Sequence, residues 1–342
     1  MNLNLTKNMK YILLLILLFI VLIFTFIFSI STGSLKINFG EVFKILFKIG
    51  DFNDGDYQIV WNIRFPRAVG ALIGGSALSV SGLLLQVLFK NPIVEPYVLG
   101  ISSGATLFVA LVMLGGISFG FAASSPFLVF LAALIGSTLI MFLVILFANK
   151  VKSVVTLLII GIMVGYICSA VTNVLSAFAD KQQLQFFTMW TLGSFSGFTW
   201  KNIYILFFIG IPSLLAAFLI VKPLNAFLLG EQYAKSLGIK IKLFRIIVII
   251  ISSLLTAVVT AFAGPIAFIG LAVPHISRLI FKTSNAIFLI PGTILLGGII
   301  TSMCDVISRT VFSPTELPIS AVTAFIGAPI VIFLILKRGT FS

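Results

Sequence analysis

Few residues in this chain could do chemistry, and their types narrow the options. The single histidine, His275, has no Cys, Asp or Glu near it, which excludes a multi-histidine metal centre, and no metal is expected. Cys168 and Cys304 lie far apart inside apolar runs and read as small buried hydrophobes. A phosphate-binding loop needs Gly-x-x-x-x-Gly-Lys-Ser/Thr, so that backbone N–H groups and the lysine cradle the phosphates. The nearest approach, ending at Ala234-Lys235-Ser236, has Ala234 and Leu229 where the two glycines must stand. No cofactor is expected, and any nucleotide chemistry has to come from another polypeptide. What remains is a set of guanidinium groups: Arg64 and Arg67 in Arg64-Phe65-Pro66-Arg67, and Arg309. Such groups grip carboxylates with two parallel hydrogen bonds. Their partners are either carboxylates of another protein at an exposed rim, or Asp305, Glu316 and the acidic trio Asp51, Asp54 and Asp56 of the same chain.

The elements that carry these residues are membrane helices. The chain has 342 residues, is 60% hydrophobic and only 9% charged, and has a mean hydropathy of +1.24, so most of it must sit in lipid. Ten apolar spans follow one another at about 11–31, 68–89, 97–116, 127–148, 154–178, 202–221, 243–263, 266–281, 288–307 and 319–336. The first follows Lys7 and Lys10 like a signal peptide, but its length and lack of a small-residue cleavage site favour a retained helix. With both termini on the cytoplasmic side, 14 basic residues and two acids (Glu95 and Glu231) fall inside, against eight basic residues and seven acids outside. The net charge of +13 is therefore concentrated on one side, as the positive-inside rule requires, and nucleic-acid binding is excluded as its cause. The expected fold is an all-α integral membrane protein of about ten spans in one transmembrane domain over residues 1–342.

The second span is unusually rich in small residues. Gly70 and Gly74 stand in Gly-xxx-Gly spacing among Gly75, Ser76, Ala77, Ser79, Ser81 and Gly82, which predicts a central helix packed on several sides. The run breaks at Lys90-Asn91-Pro92. Two outer connections carry more than a turn needs: an amphipathic stretch within 40–48, and a short helix within 179–201 flanked by Trp190 and Trp200. The inner connection, 222–242, is the most informative. Pro223 ends the preceding helix, Gly230 and Gly238 allow chain reversals, and Leu224, Phe227, Leu228, Ala234 and Leu237 form an apolar series that a mere connector would not need. Contact with a partner protein accounts for it. Gly264-Pro265 predicts a tight turn, and Pro274 predicts a disrupted helix whose freed carbonyl neighbours must satisfy. In the fifth span Gly161 and Gly165 lie one turn apart, with Ser169, Thr172, Asn173 and Ser176 following; they suit either a weakly polar pathway or ordinary helix packing. Lys150, Lys152 and Ser153 would lie at its inner mouth.

Arg64-Phe65-Pro66-Arg67, Ser81-Gly82, Gln86, Asn91-Pro92, Glu95-Pro96, Leu99-Gly100 and Ser103-Gly104-Ala105 together resemble the FecCD family, the permeases of ABC importers for iron-siderophores, haem and cobalamin. Gly264-Pro265 to Arg278, and Asp305 to Pro329, extend the likeness, although Ser320 stands where the family usually has glycine. The resemblance implies a dimer of two permease copies or close relatives meeting along the fifth and tenth spans, with the pore between them lined in part by Gly161, Gly165, Ser169 and Asn173. It implies two cytoplasmic ATPase subunits docked on a coupling loop, here Leu224, Asn225, Leu229, Gly230, Glu231, Ala234, Leu237 and Gly238. It also implies an outer substrate-binding protein whose glutamates meet Arg64, Arg67 and Arg309. Gly70, Gly74, Pro92, Gly264, Pro265 and Pro274 become hinge and packing positions. The implied cargo is an iron chelate first and cobalamin second. The chain itself is then a transport subunit and no enzyme. A secondary transporter driven by an ion gradient is the competing class, but it would place ionisable groups near mid-membrane, and only Asp305 lies within a span.

Overall fold

The computed structural model of the chain describes residues 2–33, 35, 37–47, 49, 53–116, 125–151 and 153–339, without the side chains of 2–7, 39, 98 and 333–339. Lys36, Lys48, Asp51 and Lys152, and the side chains of Lys7, Lys337 and Arg338, lie outside that description. Each of the ten expected spans is a helix: α1 (Asn2–Ser31), α4 (Phe65–Leu88), α5 (Ile101–Met113), α6 (Pro126–Lys150), α7 (Val154–Phe178), α9 (Trp200–Leu219), α12 (Ile241–Ala263), α13 (Ile269–Phe281), α14 (Ala286–Thr310) and α15 (Ile319–Gly339). Seven helices among the described residues are long and apolar enough to cross a bilayer, while those at 101–113, 269–281 and 319–332 are shorter. Between the spans lie α2 (Phe39–Phe47), α3 (Asp54–Gln58), α8 (Lys181–Thr191), α10 (Val221–Leu228) and α11 (Glu231–Ser236). No strand occurs among the described residues.

The helix of small residues is the axis of the molecule. It packs against α14, α12, α13 and α9, and every residue from Gly70 to Leu88 except Leu72 is buried. Its glycines divide into two kinds. Gly70 and Gly74 face the rings of Phe198 and Phe195, whereas Gly75 and Gly82 meet backbone. A Cβ on Gly75 would lie 2.4 Å from the Gly297 carbonyl oxygen, and one on Gly82 only 1.8 Å from that of Gly270. The expected Gly70–Gly74 seam is thus a pair of ring pockets, and helix-to-helix approach runs through Gly75 and Gly82. A second seam joins α5 to α6, where Gly104 and Gly136 face each other's carbonyls.

At its start this helix continues back to Asp54 through a π-helical stretch, Ile59–Arg64, in which the Phe65 N–H reaches the carbonyl of Val60. Pro66 follows, with no N–H to give and a ring that crowds the carbonyl four residues back, so a wider turn there is the expected response. Trp200 donates to the Trp61 carbonyl at 2.9 Å and stacks with Phe65, so it belongs to an aromatic cluster of the protein itself. In α2, Val42 and Ile45 are buried and Phe43 and Phe47 exposed, as its amphipathic pattern predicts.

The segment after α4 departs from expectation. Residues 91–100 do not stay at the end of that helix but fold back along it, because Pro96 lies against Gly270, which in turn touches Gly82 and Leu78. Gly82 is six residues before Leu88, about 9 Å up the helix at 1.5 Å per residue. Glu95 therefore leaves the group of open inner surface charges and becomes half-buried beside α13.

Candidate functional site

Two ends and an open cavity between them hold the residues singled out by sequence. At one end, Arg67 lies between two carboxylates. Its Nε donates to Asp305 Oδ1 at 3.0 Å, and its two terminal nitrogens reach Glu316 Oε1 and Oε2 at 2.6 and 2.9 Å. Arg309 completes the cluster, 3.4 Å from Asp305 Oδ2 and bonded to the Ser29 carbonyl and hydroxyl at 2.8 and 2.6 Å. Arg64 donates to the carbonyls of Ile30, Ser31 and Leu35. These three arginines are 5%, 6% and 4% exposed, for Arg64, Arg67 and Arg309 respectively, so they do not form the expected open rim. A buried guanidinium without acceptors would cost several kcal/mol, which is why each has gathered carboxylates or helix-end carbonyls. Of this network Glu316 is the member that reaches the surface.

At the other end, α10 and α11 fold against each other across Gly230, whose φ of +130 only glycine adopts readily. Pro223 sits within the first turn of α10, where its missing N–H is harmless. The apolar series splits by face. Leu224, Phe227 and Ala234 are buried in the protein's own core, with Lys90 over the Phe227 ring, while Leu228, Leu229, Tyr233 and Leu237 point out, Leu229 at 71% exposure. Asn225 does not present its amide outward. Its Oδ1 accepts from the Ala286 N–H at 2.8 Å and its Nδ2 donates to Asn285, capping the start of α14. Glu231 bonds Arg245 of α12 at 3.1 Å. The loop is thus fastened to two spanning helices by its polar residues and exposes an apolar face beside Gly238, which has φ +80.

Between the ends, α12 stops at Gly264 and α13 starts only at Ile269. The helix is continuous through Pro274, so the break falls before it, in Gly264–Phe268. Pro274 still leaves the Gly270 carbonyl without its usual donor, and the Gln86 amide fills that role at 3.4 Å, while Gln86 Oε1 accepts from Arg278 at 2.7 Å. Side chains satisfy the unwound stretch. The Tyr97 hydroxyl bonds both the N–H and the carbonyl of Ile266, Ser320 donates to the Pro265 carbonyl at 2.8 Å, and Thr323 to that of Ala267 at 3.0 Å. Ser320, the departure from the family pattern, has its own task here. Gly264 must be glycine, since a Cβ there would lie 2.3 Å from the Trp190 carbonyl oxygen. Pro92 takes part in a plain turn closed by Asn91, whose side chain accepts from the Ile93 N–H.

Against this stretch lies a cavity of about 450 Å³ walled by α5, α7, α8 and the start of α15. Ser102, Ser103, Thr106, Ser169, Asn173 and Thr191 place neutral hydroxyls and an amide on walls that are otherwise mostly apolar. Ser169 and Asn173 thus share one cavity wall. Gly161 and Gly165 instead let Gly100 approach α7, its Cβ position lying 3.0 Å from the Gly161 carbonyl oxygen. Sequence reasoning missed Gly297 and the roles of Gly82, Glu95 and Tyr97. Among the described residues no group of His, Cys, Asp and Glu could hold a metal ion.

A bundle of apolar helices packed around α4, with an unwound stretch beside a neutral cavity, defines a multi-pass membrane permease. The sequence matches the model of the FecCD transport family over residues 21–337, and the chain belongs to that family, as an ABC importer permease. It is 38% identical over 282 residues to the vitamin B12 import system permease BtuC of Salmonella typhi, covering 82% of this chain and 84% of the relative. An ABC transporter permease of Methanocaldococcus jannaschii is 34% identical over 322 residues, 91% and 90% of the two chains. A solved transporter described as of metal-chelate type, in an inward-facing conformation, superposes with a TM-score of 0.81 at 30% identity, over 95% of this chain and 99% of its own. PsaBC from Streptococcus pneumoniae, at 14% identity and a TM-score of 0.55 over 85% and 94%, shares the fold alone.

Proposed function

We propose that this chain is the membrane gate for an iron chelate, a siderophore or haem complex, driven by a separate ATPase. The observation that carries the reading is the outer face of α10 and α11. Leu228, Leu229, Tyr233 and Leu237 expose apolar surface on a loop otherwise tied down by Asn225 and Glu231, and a cytoplasmic ATPase subunit is the partner such a handle serves. Two ATPase subunits, a second permease copy or close relative, and an outer binding protein complete the assembly, with both termini in the cytoplasm. Movement of the loop reaches α14 through its Asn225 cap and α12 through the Glu231–Arg245 pair, and the cavity opens to one side at a time. Its lining suits a bulky chelate that must pass without binding tightly, since neutral hydroxyls offer weak and replaceable contacts. Cobalamin is the second reading, favoured by the identity to vitamin B12 permeases.

Uptake by membrane vesicles holding the complete transporter tests this. Uptake of a labelled ferric siderophore or haem should need ATP and survive a protonophore. Uptake of labelled cobalamin in its place selects the second reading, and uptake that needs the proton gradient and ignores ATP overturns both.

A further inference from the structure

Glu95 has no part in the mechanism just described, yet its position is unusual. It is half-buried, no cation pairs with its carboxylate among the described residues, and it accepts from the backbone N–H of Phe268 at 3.3 Å. Phe268 is the residue just before α13, and its φ of +68 places a bulky aromatic residue in the left-handed region. That conformation is strained for any side chain with a Cβ, and it persists only where the surroundings force it.

The α13 N-terminus explains why the carboxylate can do without a cation. The helix dipole gives that end a partial positive charge, which favours an anion beside the first turn. The strained residue is held from three directions. Glu95 takes the Phe268 N–H, Thr323 takes the carbonyl of the preceding Ala267, and Gly327 lies so close that a Cβ there would sit 3.0 Å from the Phe268 Cβ. The same stretch is a wall of the cavity, through Pro265 and Ala267. The other end of the short helix, through Arg278, is tied to Gln86.

We infer that Glu95 is a positioning residue: from the re-entrant segment it clamps the strained turn at Phe268, and so holds the unwound Gly264–Phe268 stretch in place as the cavity wall. The strained turn is the natural pivot when α13 tilts, because leaving the left-handed region lowers its energy once the clamp is released. The clamp acts on the wall and not on the cargo, so it is independent of which chelate is carried.

The test is made on the full-length chain in lipid nanodiscs, with Ala267→Cys as a reporter on the wall and a membrane-impermeant maleimide as the probe; Cys168 and Cys304 are buried and supply the background. Glu95→Ala should speed labelling at position 267 about tenfold, because both the hydrogen bond and the charge at the helix end are lost. Glu95→Gln keeps an acceptor but no charge, preserves the side-chain shape should the alanine variant fail to fold, and should speed labelling about threefold. Labelling of Leu229→Cys on the exposed loop should be unchanged in both. An unchanged rate at position 267 in either variant overturns the inference, and so does an equal rise at position 229, which would report general loosening.

Discussion

Replacing Gly82 with alanine puts one methyl group where the axis of the fold has no room. Its Cβ would lie 1.8 Å from the Gly270 oxygen, 2.5 Å from the carbonyl carbon and 2.7 Å from the Cα. All three are backbone atoms, so no rotamer change relieves the overlap. Ordinary contact begins near 3.4 Å, so α4 and α13 would have to separate by about 1.6 Å. That separation also breaks the Gln86–Gly270 bond, already long at 3.4 Å, and leaves the carbonyl freed by Pro274 without a donor. Overpacking of this kind costs about 1–3 kcal/mol, and an unsatisfied buried carbonyl adds about 1–3 kcal/mol. The control is Gly74→Ala on the same helix, whose Cβ would meet the Phe195 ring at 3.0 Å, a contact a side chain can yield to. Its cost should be under about 1 kcal/mol, since alanine also favours the helix by about that amount. Unfolding of the purified chain from mild detergent into SDS measures both. If Gly82→Ala unfolds at the same SDS fraction as the unsubstituted chain, or no earlier than Gly74→Ala, the close-approach argument is wrong.

The same titration separates the two carboxylates on Arg67. Asp305→Ala leaves Arg67 and Arg309 sharing an uncompensated buried charge and should cost about 3–5 kcal/mol, while Glu316→Ala, at the surface and with Asp305 still in place, should cost about 1 kcal/mol. Equal losses would contradict the burial assigned to Asp305. On the loop, Leu229→Glu with Leu237→Glu should reduce retention of the ATPase by a tagged permease by about tenfold with unchanged stability, because both side chains point away from the core. Full retention would remove the loop from the interface.

The spans, the centrality of α4 and the doubling back of the inner loop were legible in the sequence, because each depends on a local pattern: apolar length, a crowd of small residues, glycines beside short apolar runs. Pro274 was legible in its consequence but not in its geometry. That its neighbours must supply a donor follows from lipid chemistry, whereas the donor's identity, Gln86, depends on how α4 and α13 meet. The arginines were ambiguous for the same reason. Spacing shows a guanidinium near a span's end, but whether it faces outward or turns to Asp305 is decided by a residue more than two hundred positions away. Glu95 was misplaced because the seven-residue break at 90–96 looks like a surface turn, and nothing local reveals that it folds back along α4.

The unwound stretch between α12 and α13 has a consequence for how the protein is made. Its backbone groups are bonded by Tyr97 and Glu95, which leave the ribosome long before it, and by Ser320 and Thr323, which leave long after. A nascent chain halted before residue 319 would lack the Ser320 donor to the Pro265 carbonyl and leave that of Ala267 with only the Ile269 N–H. Packing of the stretch before α13 is therefore complete only once α15 has docked against it.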